Sequence, residues 1–145
     1  MKPKDFDLNE FLPYLLNQAA EVSGRAFQRV YKDRYGMLRT EWRVLCHLGQ
    51  FGPMTAHDIV RAAQSHKTKV SRAVAALEHK RFVVRETLQR DRRYASLQLS
   101  PAGRRVYADL TAIAQAYDAK VMARLEPSAA AALKDALRQL AREPI

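Results

Sequence analysis

The stretch SHKTKVSRAVAALEHKRFV, residues 65–83, carries four cations before Arg81 and threads Val70, Val74 and Leu77 among them. At 100° per residue, Ala73, Val74 and Leu77 fall within about 60° of Val70 and make one apolar side of a helix. Thr68, Arg72, Ala75 and His79 fall opposite, with Lys69, Ser71 and Ala76 flanking. A helix that only buries one face has no packing reason to gather Lys67, Lys69 and Arg72 at its start. Long donors followed by small alanines suit entry into a groove, where donors reach base edges and phosphates and the backbone comes close.

The neighbouring segments extend the same reading. TAHDIVRAA precedes the helix, with Thr55 and Asp58 at the three-residue spacing of a capping box, and the turn lies around Gln64 and Ser65. After Arg81 the period changes: FVVRETL and RYASLQL are short β-rich runs, the second turning Ala95, Leu97 and Leu99 inward. Between them QRDR is a charged loop without glycine. Arg90, Arg92 and Arg93 there suit the minor groove, whose negative potential draws arginine, and Asp91 is read as pairing with one of them to hold the loop's shape. The predicted order is helix, turn, helix, hairpin.

Long helices flank this lobe. Apolar residues from Leu8 to Tyr31 keep a helical stripe, with Pro13 expected in the first turn and a break around Gly36. Thr40 is expected to N-cap EWRVLCHLGQF, with Trp42, Leu45 and Leu48 inward, and FGP at 51–53 ends that helix. Ser100-Pro101 reads as an N-cap followed by proline at the first helical position, and Pro127 opens a last helix. The fold class is therefore mainly α with a small β-hairpin wing. A lobe this small cannot cover both flanking stripes, so part of them is expected to pack on a second copy; a monomeric bundle is the alternative.

The chain has 145 residues and a formal net charge of +10. Between Thr55 and Arg105 twelve basic residues stand against four acidic ones, so +8 of the charge sits in about a third of the length. That concentration points to a polyanion. No apolar run approaches the roughly 20 residues needed to span a bilayer. MKPKDFDLNEF lacks the apolar core of a secretory signal, and the single Cys46 suits a reducing compartment, so a cytoplasmic protein is expected.

From Thr40 to Arg105 the chain resembles the multiple-antibiotic-resistance regulator (MarR) family of winged helix-turn-helix proteins. EWRVL at 41–45, FGPMT at 51–55, KTKVSRAVAALE at 67–78, DRR at 91–93 and LSPAG at 99–103 carry the resemblance, in order and at matching spacing. It implies one MarR-type domain over 1–145: a helical dimerisation region at 8–34 and 101–142, and a DNA-binding lobe at 40–100. It implies a homodimer on a near-palindromic double-stranded operator, with Lys67, Thr68, Lys69, Ser71 and Arg72 in the major groove. The wing, Arg90, Asp91, Arg92 and Arg93, would enter the minor groove. Where the family usually ends its reading helix with glycine this chain has Arg81, which the resemblance would put in a left-handed conformation. The last helix opens Glu126-Pro127 where Ser or Thr is usual, a weaker cap.

The resemblance also implies a crevice between the flanking helices and the lobe that accepts small aromatic or phenolic anions, to which Tyr14, Trp42, Arg43 and His47 could contribute. Core packing is the competing role for these four. His57 and His66 flank the turn and are expected to be solvent-exposed; Cys46 is expected to be a small buried thiol. The four histidines and one cysteine do not group at metal-ligand spacings, and no catalytic signature is present, so neither cofactor, metal site nor enzyme activity is expected. A ligand-responsive repressor is the leading reading; a nonspecific nucleic-acid packaging protein is the alternative.

Overall fold

The computed structural model describes residues 5–87 and 95–142. A short 3₁₀ turn, Leu8–Glu10, leads into α1 (Leu12–Tyr35), with Pro13 in its first turn where an amide donor would have no partner. Gly36, at φ 63°, stops α1 and returns its N–H to the Lys32 carbonyl at 2.8 Å. Then follow α2 (Arg39–Phe51), α3 (Ala56–Ala63), α4 (Lys67–His79), β1 (Val83–Thr87), β2 (Ala95–Leu99), α5 (Pro101–Met122) and α6 (Pro127–Arg142). The backbone divides into two units, one ending at Leu110 and one beginning at Thr111.

In the first unit α2, α3 and α4 enclose a core that includes Leu45, Ile59, Val70, Val74 and Leu77, all nearly inaccessible. Leu97 and Leu99 close it from β2, while Ala95 stays half-buried at the outer end of the strand. The strands pair antiparallel from Val83↔Leu99 to Thr87↔Ala95, and Met54 adds an isolated bridge to Leu97. α5 starts as expected: Ser100 Oγ accepts from the Gly103 N–H at 3.0 Å. Gly103 is needed at that position because any Cβ would run into the Phe82 carbonyl oxygen.

The start of α2 differs from expectation. Leu38 is the N-cap, with extended backbone, and Thr40 lies within the first turn. The capping acceptor is Glu41, whose Oε2 takes the Leu38 N–H at 2.9 Å. The chain enters the helix two residues before Thr40, which places Glu41 rather than the Thr40 hydroxyl within reach of an orphan amide. The inner face of α2 is Glu41, Val44, Leu45 and Leu48. Trp42 is only half-buried, stacked on Tyr31 at 5.9 Å and edge-on to Phe27 at 5.0 Å.

The second unit holds the later turns of α5 and all of α6, joined by Lys134 to Asp118 at 3.0 Å. α6 buries no residue and leaves Leu133, Leu137 and Leu140 on one exposed face.

Candidate nucleic-acid interface

The expected helix-turn-helix forms at α3 and α4. Thr55 and Asp58 cap α3 reciprocally: the Asp58 N–H donates to Thr55 Oγ1 at 3.1 Å and the Thr55 N–H to Asp58 Oδ2 at 3.0 Å. Those bonds hold the Asp58 carboxyl below its ordinary range, the backbone bond to Thr55 first. Gln64 ends α3 in a left-handed conformation, φ 49°, which lets the chain reverse in three residues. His66 then caps α4, its Nδ1 accepting from the Thr68 N–H at 3.2 Å. His57 is exposed, as is His66, but the capping role of His66 was not read from the sequence.

α4 turns Val70, Ala73, Val74 and Leu77 inward and exposes Thr68, Lys69, Ser71 and Arg72, as the helical wheel requires, and Lys67, its first residue, is exposed as well. Three other cations are paired: Arg85 with Glu78 at 2.8 Å, Lys80 with Glu41 at 2.7 Å and Arg39 with Glu21 at 3.0 Å. Among the described residues no ion pair engages Lys67, Lys69 or Arg72. Three cations that no ion pair engages among the described residues are thus gathered at the exposed start of α4.

The end of α4 aims the hairpin. The Arg81 N–H reaches the Glu78 carbonyl at 2.9 Å and the Phe82 N–H the Leu77 carbonyl at 3.0 Å, the two bonds of a Schellman termination. This requires Arg81 at φ 64°, the left-handed conformation expected there. Ser100 Oγ donates to the Arg81 carbonyl at 2.7 Å and fixes the same corner from the far strand. Arg85, bonded to Glu78, ties β1 to the last turn of α4. Both Arg85–Glu78 and Glu41–Lys80 escaped sequence reading, since neither follows a motif. The wing residues Arg90, Asp91, Arg92 and Arg93 lie outside the described residues.

The four expected effector residues are not drawn together. Trp42, Arg43 and His47 share α2, with His47 Nδ1 2.7 Å from the Arg43 carbonyl and its ring beside Phe51; Tyr14 is half-buried near the start of α1. A cleft of about 460 Å³ opens instead between α1, the start of α2 and α4. Gln28, Leu38, Arg39 and Thr40 line it together with Lys69 and Arg72, and none of the four expected residues does. Cys46 is half-buried, and burial pushes its thiol up to about 12. Among the described residues no three His, Cys, Asp or Glu side chains gather to hold a metal, and no helix is long and apolar enough to cross a membrane.

Three helices closed by an antiparallel hairpin, with the second helix of the turn exposed, define a winged helix-turn-helix protein. Residues 35–93, which contain the turn and the first strand of the hairpin, match the model of the MarR family. The chain resembles BpsR of Bordetella bronchiseptica, whose DNA binding is regulated by 6-hydroxynicotinic acid. The identity is 21%, 97% of this chain and 100% of that chain are covered, and the TM-score is 0.87. It also resembles NadR in complex with 4-hydroxyphenylacetate (23% identity, 99% and 100% covered, TM-score 0.78). A third likeness is to MepR of S. aureus in complex with DNA (19% identity, 90% and 95% covered, TM-score 0.79). At these identities the likeness is one of fold. No curated protein sequence matches the chain.

Proposed function

We propose that the protein is a homodimeric, sequence-specific regulator of transcription, a repressor released by a small aromatic or phenolic anion, acting in the cytoplasm by binding rather than by catalysis. The observation that carries this reading is the group Lys67, Lys69 and Arg72 at the exposed start of α4, engaged by no ion pair among the described residues and presented with Thr68 and Ser71. Charge alone would serve a packaging protein. Charge on the exposed N-terminal turns of the second helix of a helix-turn-helix suits base reading. The hairpin that begins at Val83 directs Arg90, Arg92 and Arg93 toward the adjacent minor groove in this proposal, with Asp91 shaping the loop.

Dimerisation is supported by apolar side chains left uncovered in each unit: Phe11, Leu12, Leu15 and Val22 in the first, Leu133, Leu137 and Leu140 in the second. Two protomers would set two α4 helices about one helical turn of DNA apart, ~34 Å, on a near-palindrome. The cleft beside Lys69 and Arg72 supports the ligand response, since an anion held there would engage the same cations that DNA needs.

The test is fluorescence anisotropy with DNA from upstream of the protein's own coding region at about 150 mM salt, challenged with excess scrambled duplex. A surviving complex that saturates at two protomers per site is expected. If no duplex, including those selected from a random pool, resists competition, the regulator gives way to the packaging protein.

A further inference from the structure

We propose that Ser100 is a positioning residue for DNA reading: its hydroxyl sets the angle between α4 and the hairpin. The proposal rests on the DNA-reading role given to those two elements above. α4 ends at His79 and β1 begins at Val83, so the peptides around Arg81 and Phe82 carry the change of direction. Their torsions decide where the hairpin points relative to the helix. The Arg81 carbonyl turns with ψ of Arg81, and Ser100 Oγ donates to that carbonyl at 2.7 Å. Holding the oxygen holds the torsion. Arg81 already lies at φ 64°, a left-handed region in which an arginine has no preference of its own for staying.

Ser100 is 9% exposed, and a serine hydroxyl has one proton to give. That proton goes to Arg81, while the same oxygen accepts from the Gly103 N–H in the first turn of α5 at 3.0 Å. The Ser100 N–H reaches the Phe82 carbonyl at 3.0 Å, and the bare Gly103 leaves room for that carbonyl against the helix. One oxygen therefore joins the end of α4, the root of the hairpin and the start of α5. The hairpin is also tied to α4 by Arg85 and Glu78, but their side chains are 49% and 32% exposed. An ion pair so open to water fixes orientation only weakly. The buried hydroxyl is the stronger constraint.

Three variants of the full-length protein separate this role from simple capping. Ser100→Thr keeps both donor and acceptor. Ser100→Asp keeps the acceptor that caps α5, but an ionised carboxylate has no proton for Arg81. Ser100→Gly removes the hydroxyl at little cost to the cap and takes over if the carboxylate unfolds the protein. Residual dipolar couplings should show the two strands rotated relative to α4 in Ser100→Asp and Ser100→Gly, and unmoved in Ser100→Thr. Preference for a duplex selected from a random pool over scrambled duplex should fall about fivefold in the first two, because DNA must restore the pose without that bond. Ser100→Thr should keep the wild-type preference. Wild-type strand orientation in folded Ser100→Asp or Ser100→Gly, or rotation without loss of preference, overturns the positioning role. A wild-type protein that selects no duplex defeats the regulator instead, and the couplings alone then decide whether Ser100 sets the angle.

Discussion

Glu41 and Lys80, thirty-nine residues apart, meet at 2.7 Å and join the start of α2 to the end of α4. The Glu41 side chain is 5% exposed and Lys80 25%, so the carboxylate has little water to replace a lost partner. Lys80→Met should therefore cost about 3 kcal/mol, the lower end for breaking a buried pair. The double variant Glu41→Gln/Lys80→Met should cost less, because no charge is stranded and the amide oxygen can still accept from Leu38. Urea unfolding of the three proteins checks this; a double variant as unstable as the single one contradicts it.

Arg81 holds a left-handed backbone that glycine adopts freely and arginine does not. Arg81→Gly should raise stability by about 1 kcal/mol, seen as a higher urea midpoint with unchanged slope. A lower midpoint would mean the arginine side chain contributes more than its backbone costs.

Arg72 and Lys69 are both exposed on α4 but are expected to act differently. If Arg72 reads a base, Arg72→Ala should weaken specific binding by about 1–3 kcal/mol and relax preference at one position. A phosphate contact from Lys69 would instead make Lys69→Ala weaken all duplexes alike and lower the salt slope by about 1. Binding to operator and scrambled duplex across a salt series distinguishes the two.

Asp109 accepts from the Tyr35 hydroxyl at 2.6 Å and from Arg34 at 3.1 Å, and its carboxyl is held below its usual range, the Tyr35 bond being the larger cause. Its folded-state value lies below the unfolded one, so its stabilisation is present above about pH 4 and is lost as pH falls through the lowered value. The Tyr35 hydroxyl is pushed up, first by the same bond, so its contribution is lost as pH rises through that raised value. Tyr35→Phe should return the Asp109 titration toward the ordinary range; an unmoved carboxyl ¹³C titration would refute the coupling.

Cys46 should stay a thiol at neutral pH, since burial raises it to about 12. Iodoacetamide should modify it far more slowly in the native protein than in urea, because the thiolate is the nucleophile. Between the unfolded value near 8.5 and the folded one, the unfolded chain loses the proton first, so this group's stabilisation falls as pH rises. Rapid native alkylation at pH 7 would show the sulfur to be accessible and ionised.

Much of the molecule follows from local chemistry. The stripe in residues 67–79, the Thr55–Asp58 box, the Ser100-Pro101 start and the alternation around Leu97 each specify an element, because periodicity and end-capping act over a few residues. The excess of cations at the start of α4 is equally visible, whereas the left-handed backbone at Arg81 is implied only by the family resemblance. Which cations stay unpaired is different. Lys80 is neutralised by a carboxylate on α2 and Arg34 by Asp109, seventy-five residues on, contacts that exist only once helices pack. Tertiary structure also moved the α2 cap from Thr40 to Glu41, since an orphan amide takes whichever acceptor the incoming chain brings near. It also opened a cleft beside Arg39 and Arg72 that Tyr14, Trp42, Arg43 and His47 do not line. A cavity is the space several elements fail to fill, and no single segment encodes that space.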